Sequence, residues 1–111
     1  MAISIKSAKG SKIIVALDGL TVKGALRIGK ILSGKVWGFK VNDLLFTNVE
    51  IIRKLKKFGK IFADAKLHDI PNTVGNSVKK LSKAGADLIT VHASGGVEMM
   101  KVAKKTEGEA R

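Results

Sequence analysis

The 111-residue sequence contains no cysteine, no tyrosine and a single proline. The absence of cysteine excludes a disulfide framework, a thiolate zinc site and a thiol nucleophile. No apolar run approaches the roughly 18 residues that a membrane-spanning helix needs, and the first residues lack the apolar segment of a secretory signal. We therefore expect a soluble, intracellular protein with a cytoplasmic location and no membrane partner.

Acidic residues are also few, since 9 Asp and Glu stand against 21 Lys and Arg, which gives a formal net charge of +12. Such a charge invites nucleic-acid binding, because clustered cations release counterions when they meet phosphates. However, only 5% of the residues are aromatic, and a stacking surface for bases is hard to build without aromatic side chains. The basic clusters also fall in segments of helical period, as is typical of solvated helix faces. We expect no primary nucleic-acid function.

The hydrophobic residues make up 45% of the chain, enough to support a single domain over residues 1–111. Four short β-rich runs begin near residues 12, 36, 61 and 87, and each is followed by a segment of helical period. A spacing of about 25 residues is typical of βα units with a parallel sheet. Because a closed barrel needs eight such units, the pattern predicts an α/β fold, the parallel (βα)4 half of a TIM (β/α)8 barrel. A small open α/β sheet is the alternative.

Local signals predict where the helices begin and end. The run Thr47-Asn48-Val49-Glu50 predicts a capping box at the start of the second helix. Glycines are expected to end three of the helices, at Gly34, Gly59 and Gly85. The last helix is predicted to bury the side that carries Val97, Met100 and Ala103.

Every predicted strand ends in ionisable residues, namely Asp18, Lys40, Asp64 with Lys66, and His92. Catalytic groups gather at the carboxyl ends of strands in parallel α/β folds. Asp64 and Lys66 are two residues apart on one strand and so share a side, which in a barrel is the interior. With Lys40 on the neighbouring strand and Asp69 just past the strand, they predict an alternating array of lysines and aspartates. Burying charges costs several kcal/mol per ion, which favours a chemical role for the array.

Other chemistry remains open for some of these residues. Asp18, Asp64 and Asp69 are suited to hold Mg²⁺ together with water. The interleaved lysines take the charge and the space of a cation, so we expect a metal-free site. No serine or cysteine nucleophile accompanies the histidines. We expect His92 to be a hydrogen-bonded structural residue and His68 to orient a turn.

The sequence closely resembles the orotidine 5′-phosphate decarboxylase family over almost the whole chain. The resemblance rests on four runs, IVALD at 14–18, FKV at 39–41, ADAKLHDIPNT at 63–73 and GADLITVHA at 85–93. An Asp-x-Lys-x-x-Asp core would also fit the related Mg²⁺-dependent decarboxylases and aldolases that act on sugar phosphates, which are the alternative within enzymes. The continuation Ile70-Pro71-x-Thr73 resembles the orotidylate enzymes.

The resemblance implies decarboxylation of orotidine 5′-monophosphate to UMP and CO₂ in pyrimidine biosynthesis, without a cofactor. It implies four catalytic residues, of which Lys40 begins the charge array, Asp64 lies beside the substrate carboxylate and Lys66 protonates C6 of the pyrimidine. The fourth, Asp69, joins Ile70 and Thr73 in completing the site of the neighbouring subunit in the family's dimer. Asp18, Ile70 and Thr73 are implied as substrate-binding residues, and Asp18 holds the ribose hydroxyls.

The family holds the substrate phosphate with an arginine and backbone amides that follow its seventh and eighth strands, and residues 1–111 contain no counterpart. Remote phosphate binding is a main source of transition-state stabilisation in such enzymes. We therefore expect poor turnover by this chain alone. We also expect association, as a homo-oligomer or with a second half-barrel, because the outer strands would expose unpaired edges. A non-catalytic half-barrel assembly module is the alternative function.

Overall fold

A computed structural model of the chain describes residues 10–110; residues 1–9 and 111 of the predicted domain lie outside this range. Within it, four strands form one parallel sheet in chain order, β1 (Ile14–Ala16), β2 (Gly38–Val41), β3 (Lys60–Leu67) and β4 (Leu88–Val91). Each strand is followed by a helix, α1 (Val22–Leu32), α2 (Glu50–Leu55), α3 (Pro71–Ala84) and α4 (Val97–Lys105). The predicted series of four βα units is confirmed. No helix in residues 10–110 is long and apolar enough to cross a bilayer.

The helix ends mostly follow the local chemistry of the sequence. The hydroxyl of Thr21 caps α1 by accepting the N–H of Gly24 at 3.0 Å. Gly34 lies just beyond this helix with a φ of 77°, and Gly85 ends α3 with a φ of 114°. Both conformations are left-handed and favour glycine. Gly59 follows a 3₁₀ turn, Lys56–Phe58, that continues α2, so all three predicted stops are confirmed.

The predicted capping box of the second helix is wrong. A 3₁₀ helix, Asp43–Phe46, leads directly into Thr47, whose φ of −77° and ψ of −55° are helical. An N-cap residue needs an extended backbone, so Thr47 cannot serve as one. Instead, Asn48 Oδ1 accepts the N–H of Glu50 at 2.9 Å. The Glu50 carboxylate turns outward and accepts a hydrogen bond from Arg53 at 2.6 Å.

The main core lies between the sheet and α1, α2 and α3. Its fully buried members come from both layers and include Leu17, Phe39, Val41, Ile52, Leu55 and Ile61. A smaller cluster joins α3 to α4 through Val74, Val78, Met99 and Ala103. Burial of each large aliphatic side chain contributes about 1.5–3 kcal/mol to folding. The core thereby holds the strand ends in a fixed relation to one another.

The predicted buried side of the last helix is only partly correct. Ala103 is buried and Met100 packs, partly buried, against the same cluster, but Val97 is 61% exposed and Met99 is fully buried. Met99 and Ala103 are four residues apart and therefore lie on one face of α4. The helix turns this face toward Val74 and Val78 of α3. The contact with α3 determines which face of α4 is buried. This face is rotated about the helix axis from the face that the apolar spacing predicts.

Candidate active site

Four charged side chains form a continuous chain of ion pairs at the carboxyl ends of β1, β2 and β3. Lys40 Nζ is 3.7 Å from Asp18 Oδ2 and 3.7 Å from Asp64 Oδ2. Lys66 Nζ also pairs with Asp64 Oδ2. The charges therefore alternate in the order Asp18, Lys40, Asp64, Lys66, and we call these four residues the charge array. The predicted convergence of Lys40, Asp64 and Lys66 is confirmed.

Strand register places the first two members of the array side by side. The N–H of Leu17 donates to the carbonyl oxygen of Lys40 at 3.0 Å, so the residue after Leu17, Asp18, emerges beside Lys40. On β2, Phe39 and Val41 are fully buried in the core under the helices. Side chains alternate along a strand, so Lys40 projects to the other face of the sheet. The apolar residues on either side of Lys40 thus direct its ammonium into the array.

Asp64 is the most enclosed member of the array, with the residue 7% exposed. Its Oδ1 accepts a hydrogen bond from the Thr90 hydroxyl at 2.7 Å, while its Oδ2 faces both lysines. Burial acts to raise the pKa of the Asp64 carboxyl, but the hydrogen bonds from Lys66 and Thr90 and the charges of Lys66 and Lys40 outweigh burial. The pKa is therefore held below its ordinary value, and Asp64 is a fixed negative charge at neutral pH.

Lys66 reaches the array from an irregular part of β3. Its φ of 48° is the one positive value at a non-glycine residue in the described chain. Register between β3 and β4 is regular up to Ala63 and shifts before Leu67. The expected proximity of Asp64 and Lys66 is confirmed, but its cause is this bulge rather than the simple alternation of a regular strand.

The remaining predicted site residues lie away from the array. Asp69 and Ile70 follow β3 and Thr73 lies in the first turn of α3, and all three residues are exposed. Asp69 Oδ1 accepts the N–H of Ile70 at 2.7 Å, next to the proline that begins α3. Within residues 10–110 Asp69 makes no ion pair, and within this chain Asp18 takes the fourth place beside the lysines. The contribution of these three residues to a neighbouring subunit stays a prediction.

The two histidines lie at the ends of β3 and β4. The rings of His68 and His92 pack against each other with centroids 5.4 Å apart and an interplanar angle of 41°. The N–H of His92 donates to the carbonyl of Leu67 at 2.9 Å, which continues the pairing of the two strands. These contacts tie the strand ends together, in keeping with the structural roles expected for both histidines.

Sequence reasoning missed three polar residues that shape the site. Thr90 donates to Asp64, and Asn42 Nδ2 donates to the carbonyl oxygen of Asp64 at 2.7 Å. The carboxylate of Asp43 accepts the N–H of Gly19 at 3.1 Å, which links the loops after β1 and β2. Thr90 had a signal, since it is the one polar residue in the strand LITV. Asn42 and Asp43 directly follow β2, the same kind of position that Asp18 and Asp69 occupy after β1 and β3.

The carboxylates of residues 10–110 do not gather as a set of metal ligands. Among residues 10–110, no group of three or more His, Asp or Glu side chains is arranged to hold a metal ion. Asp18 and Asp64 each have Lys40 beside them. The expectation of a metal-free site stays a prediction.

A parallel βα fold with alternating lysines and aspartates at its strand ends defines a TIM-barrel-type class of protein whose site lies at the carboxyl face. Residues 11–111 match the model of the orotidine 5′-phosphate decarboxylase / HUMPS family, and the chain belongs to this family. An orotidine 5′-phosphate decarboxylase of Parasynechococcus marenigrum is 41% identical over 107 residues, which cover 94% of this chain and 43% of the relative. The enzyme of the same name from Fusobacterium nucleatum is 45% identical over 102 residues, covering 89% and 43%.

Solved structures give the same result for the fold. The orotidine 5′-monophosphate decarboxylase of Methanocaldococcus jannaschii superimposes with a TM-score of 0.81 and 33% identity, covering 89% of this chain and 50% of that one. A structure of that organism's enzyme in complex with the inhibitor BMP gives a TM-score of 0.80. The Pyrococcus horikoshii enzyme gives 0.77 at 36% identity, covering 85% and 48%. The chain spans about half the length of these relatives, and its fold is the parallel (βα)4 half of a TIM barrel.

Proposed function

We propose that the charge array forms part of a site that decarboxylates orotidine 5′-monophosphate to UMP and CO₂, a cytoplasmic step of pyrimidine nucleotide synthesis. One observation carries this proposal: a buried, ionised Asp64 lies between two lysine ammonium groups on a chain of this family. The names of the relatives and the inhibitor complex of one of them support the choice of substrate.

Asp64 supplies the electrostatic part of the proposed reaction. Its lowered pKa keeps a negative charge beside the place where the substrate carboxylate would lie. Repulsion raises the free energy of the bound substrate, and the repulsion weakens as the carboxylate becomes neutral CO₂. An interaction that is less unfavourable in the transition state than in the ground state accelerates the chemical step.

Lys66 supplies the proton. When the bond between C6 and the carboxylate breaks, its electron pair stays on C6, and the Lys66 ammonium donates the proton that forms the new C6–H bond. The neutral amine then regains a proton from water. The positive charge next to C6 also stabilises the developing carbanion, and a positioned general acid contributes about 10²–10⁴-fold. The pairing of Lys66 with Asp64 holds the ammonium in place before the reaction.

Lys40 and Asp18 orient the substrate in this proposal. Lys40 lies between both carboxylates and fixes the distance from Asp18 to the reacting centre. The Asp18 side chain is 55% exposed, which leaves its carboxylate open to accept hydrogen bonds from ribose hydroxyls. The lysines provide the positive charge of the site, so the reaction as proposed uses no metal and no cofactor.

The proposed active form is an assembly. Ile70 is 66% exposed beside Asp69 and Thr73, and we propose that this surface completes the site of a second copy. The outer edges of β1 and β4 have no strand beside them among residues 10–110. A second half-barrel that pairs with these edges would close the barrel and add the phosphate-binding groups.

The test is conversion of orotidine 5′-monophosphate to UMP by the purified chain and by two lysine variants. Lys66→Ala removes the proposed acid, whereas Lys56→Ala removes a lysine that pairs with Asp87 at the opposite end of the sheet. We expect low turnover in the wild type, the same low turnover in Lys56→Ala, and its loss in Lys66→Ala. Mg²⁺-dependent turnover of a sugar phosphate, with no turnover of orotidine 5′-monophosphate, would favour the related metal-dependent enzymes instead.

Binding of BMP provides a second arm that does not depend on turnover. Amide NMR shifts of β2 and β3 are expected to move when BMP is added to the wild-type chain and to move less in Lys66→Ala. Binding without turnover would indicate a half-barrel that needs its partner for catalysis. A wild-type chain that neither binds BMP nor turns over substrate would contradict the proposal.

A further inference from the structure

Thr90 lies at the one place where β4 meets the charge array. Its hydroxyl donates to Asp64 Oδ1 at 2.7 Å and accepts the backbone N–H of Lys66 at 3.0 Å. A hydroxyl carries one hydrogen, and the ionised carboxylate of Asp64 can only accept. The direction of both bonds is therefore set, and one side chain serves two neighbouring members of the array.

The bulge in β3 explains why a side chain is needed there. Ala63 pairs with Ile89 and Leu67 pairs with Val91, so residues 64–66 all lie opposite Thr90 alone. The backbone of β4 cannot offer a ladder partner to each residue of the longer segment. The Thr90 hydroxyl takes the place of a ladder carbonyl for the Lys66 N–H.

The backbone of Lys66 also needs support from its surroundings. A φ of 48° places Lys66 in the left-handed region, which is unfavourable for a residue with a Cβ atom. Such a conformation persists only where neighbouring contacts determine it. The hydrogen bond to Thr90 restrains the Lys66 backbone, and the pairing with Asp64 restrains the end of its side chain.

We infer that Thr90 is a positioning residue of the array, whose single hydroxyl fixes the Asp64 carboxylate and the Lys66 backbone relative to each other. The inference rests on the proposed function for its catalytic meaning, because these are the proposed electrostatic group and proton donor. Thr90 acts through both residues and needs no contact with substrate. Its geometric part can be tested without any substrate.

Two substitutions separate the hydroxyl from the rest of the side chain. Thr90→Val keeps the shape and the β-branch but removes the donor and the acceptor, whereas Thr90→Ser keeps the hydroxyl and removes the methyl group. Thr47→Val is the matched control, since Thr47 is exposed and lies outside the array. Circular dichroism establishes that each variant is folded. If Thr90→Val does not fold, Thr90→Ala removes the hydroxyl without adding a methyl group.

The readouts are NMR measurements on the full chain. In Thr90→Val we expect the pKa of the Asp64 carboxyl to rise, because one of the hydrogen bonds that lower it is gone. We expect exchange of the Lys66 amide hydrogen to become about fivefold faster or more, and its Cα and Cβ shifts to move toward values for negative φ. Thr90→Ser is expected to restore all three readouts, and Thr47→Val to leave them unchanged.

The opposite pattern would overturn the inference. If Thr90→Val matches the wild type, or if Thr90→Ser is the variant that disturbs Asp64 and Lys66, then Thr90 acts by packing its methyl group. Where the wild type turns over orotidine 5′-monophosphate, Thr90→Val should lower kcat with little change in KM, and Thr90→Ser should recover it. A wild type without turnover or BMP binding would contradict the proposed function alone, while the NMR readouts would still decide the role of Thr90.

Discussion

The two ends of the sheet use the same residue types in different ways. At the amino ends of the strands, Asp87 pairs with Lys56 and accepts the N–H of Ile61 at 2.8 Å. At the carboxyl ends, one oxygen of Asp64 is shared by Lys40 and Lys66. The Asp87 carboxylate accepts from one lysine and one backbone N–H, and it thereby joins the start of β4 to β3. The Asp64 carboxylate holds two ammonium groups in a single cluster.

Accessibility separates the two arrangements further. The carboxyl-end array has open ends, since the side chains of Lys66 and Asp18 are 54% and 55% exposed around a buried Asp64. A ligand can therefore reach charges whose positions are already fixed. The amino-end pair has only two charged members, Lys56 and Asp87, whose side chains are 41% and 27% exposed. It lines a cavity together with Gly59 and Trp37. In TIM barrels the carboxyl face is the place of chemistry and the amino face that of stability. The role of an aspartate–lysine pair, in chemistry or in stability, therefore depends on which end of the sheet it occupies.

The largest expected effect compares the two aspartates directly. Asp64→Asn should lower the rate of orotidine 5′-monophosphate decarboxylation about 10²-fold or more, because an amide neither repels the substrate carboxylate nor holds two lysines. Asp87→Asn should leave the rate within about twofold, since Asp87 lies at the other end of the sheet. Steady-state kinetics of both variants beside the wild type measure the ratio. Equal losses of rate in the two variants would contradict the assignment of chemistry to the carboxyl end of the sheet.

The next prediction concerns the packing of the strands at the amino end of the sheet and its contribution to stability. A Cβ added at Gly38 would lie 1.9 Å from the carbonyl oxygen of Lys60, a backbone atom that cannot move without breaking the pairing of β2 with β3. We expect Gly38→Ala to lower the free energy of unfolding by about 3 kcal/mol or more. Gly24→Ala in α1 is the control, because its Cβ would approach only side-chain atoms, Thr21 Oγ1 at 3.3 Å being the nearest. Urea unfolding compares the two variants, and a small effect at Gly38 would show that the strand starts can separate.

A smaller loss of stability is expected when the interactions of Asp87 at the amino end are removed, and it separates the ion pair from the backbone hydrogen bond. Asp87→Ala removes both the ion pair and the hydrogen bond to the Ile61 N–H, and should cost about 1–2 kcal/mol of stability. Lys56→Met removes only the ion pair, and Lys56 is 41% exposed, so it should cost about 0.5 kcal/mol or less. Thermal or urea unfolding measures both changes. A larger loss in Lys56→Met would mean that charge, rather than the backbone bond, joins the strands here.

The order of elements could be predicted because each βα unit carries a local signal. An apolar strand and a following helical stripe repeat along the chain, and glycines such as Gly34 and Gly85 mark where helices end. Local signals gave wrong predictions where a neighbouring element determines the backbone conformation or the buried face of a helix. The sequence predicts that Thr47 is a helix N-cap, but the 3₁₀ helix that precedes Thr47 gives it a helical backbone conformation. Met99 is buried because α3 meets that face of α4.

The site could be predicted in part for a similar reason. Lys40 and Asp64 follow from strand alternation and from the gathering of strand ends at one edge. The position of Asp69 just after β3 predicts that it joins the array, whereas in this chain its carboxylate accepts the N–H of Ile70 in the same loop. Thr90 enters the site only through the shifted register of β3 against β4. The polar side chain of Thr90 in the strand LITV is a signal in the sequence, but the register shift that brings it to Asp64 depends on contacts between distant segments.

The smallest expected effect is the pH dependence of stability that Asp64 contributes. The pKa of Asp64 is lowered from its ordinary value of 3.8 in the folded chain, so folding favours the carboxylate. The resulting stabilisation is fully present above the unfolded pKa and is lost as pH falls through the folded pKa. The wild type should therefore lose stability relative to Asp64→Asn as pH falls below about 5, with a constant difference above it.

Urea unfolding of both proteins across this pH range measures the effect, which solvent screening keeps small because the Lys66 side chain is half exposed. Thr90→Val should show a weaker pH dependence than the wild type, since the Thr90 hydroxyl is one cause of the lowered pKa. Parallel curves for the wild type and Asp64→Asn would mean that the lysines and the Thr90 hydroxyl do not lower the pKa of Asp64.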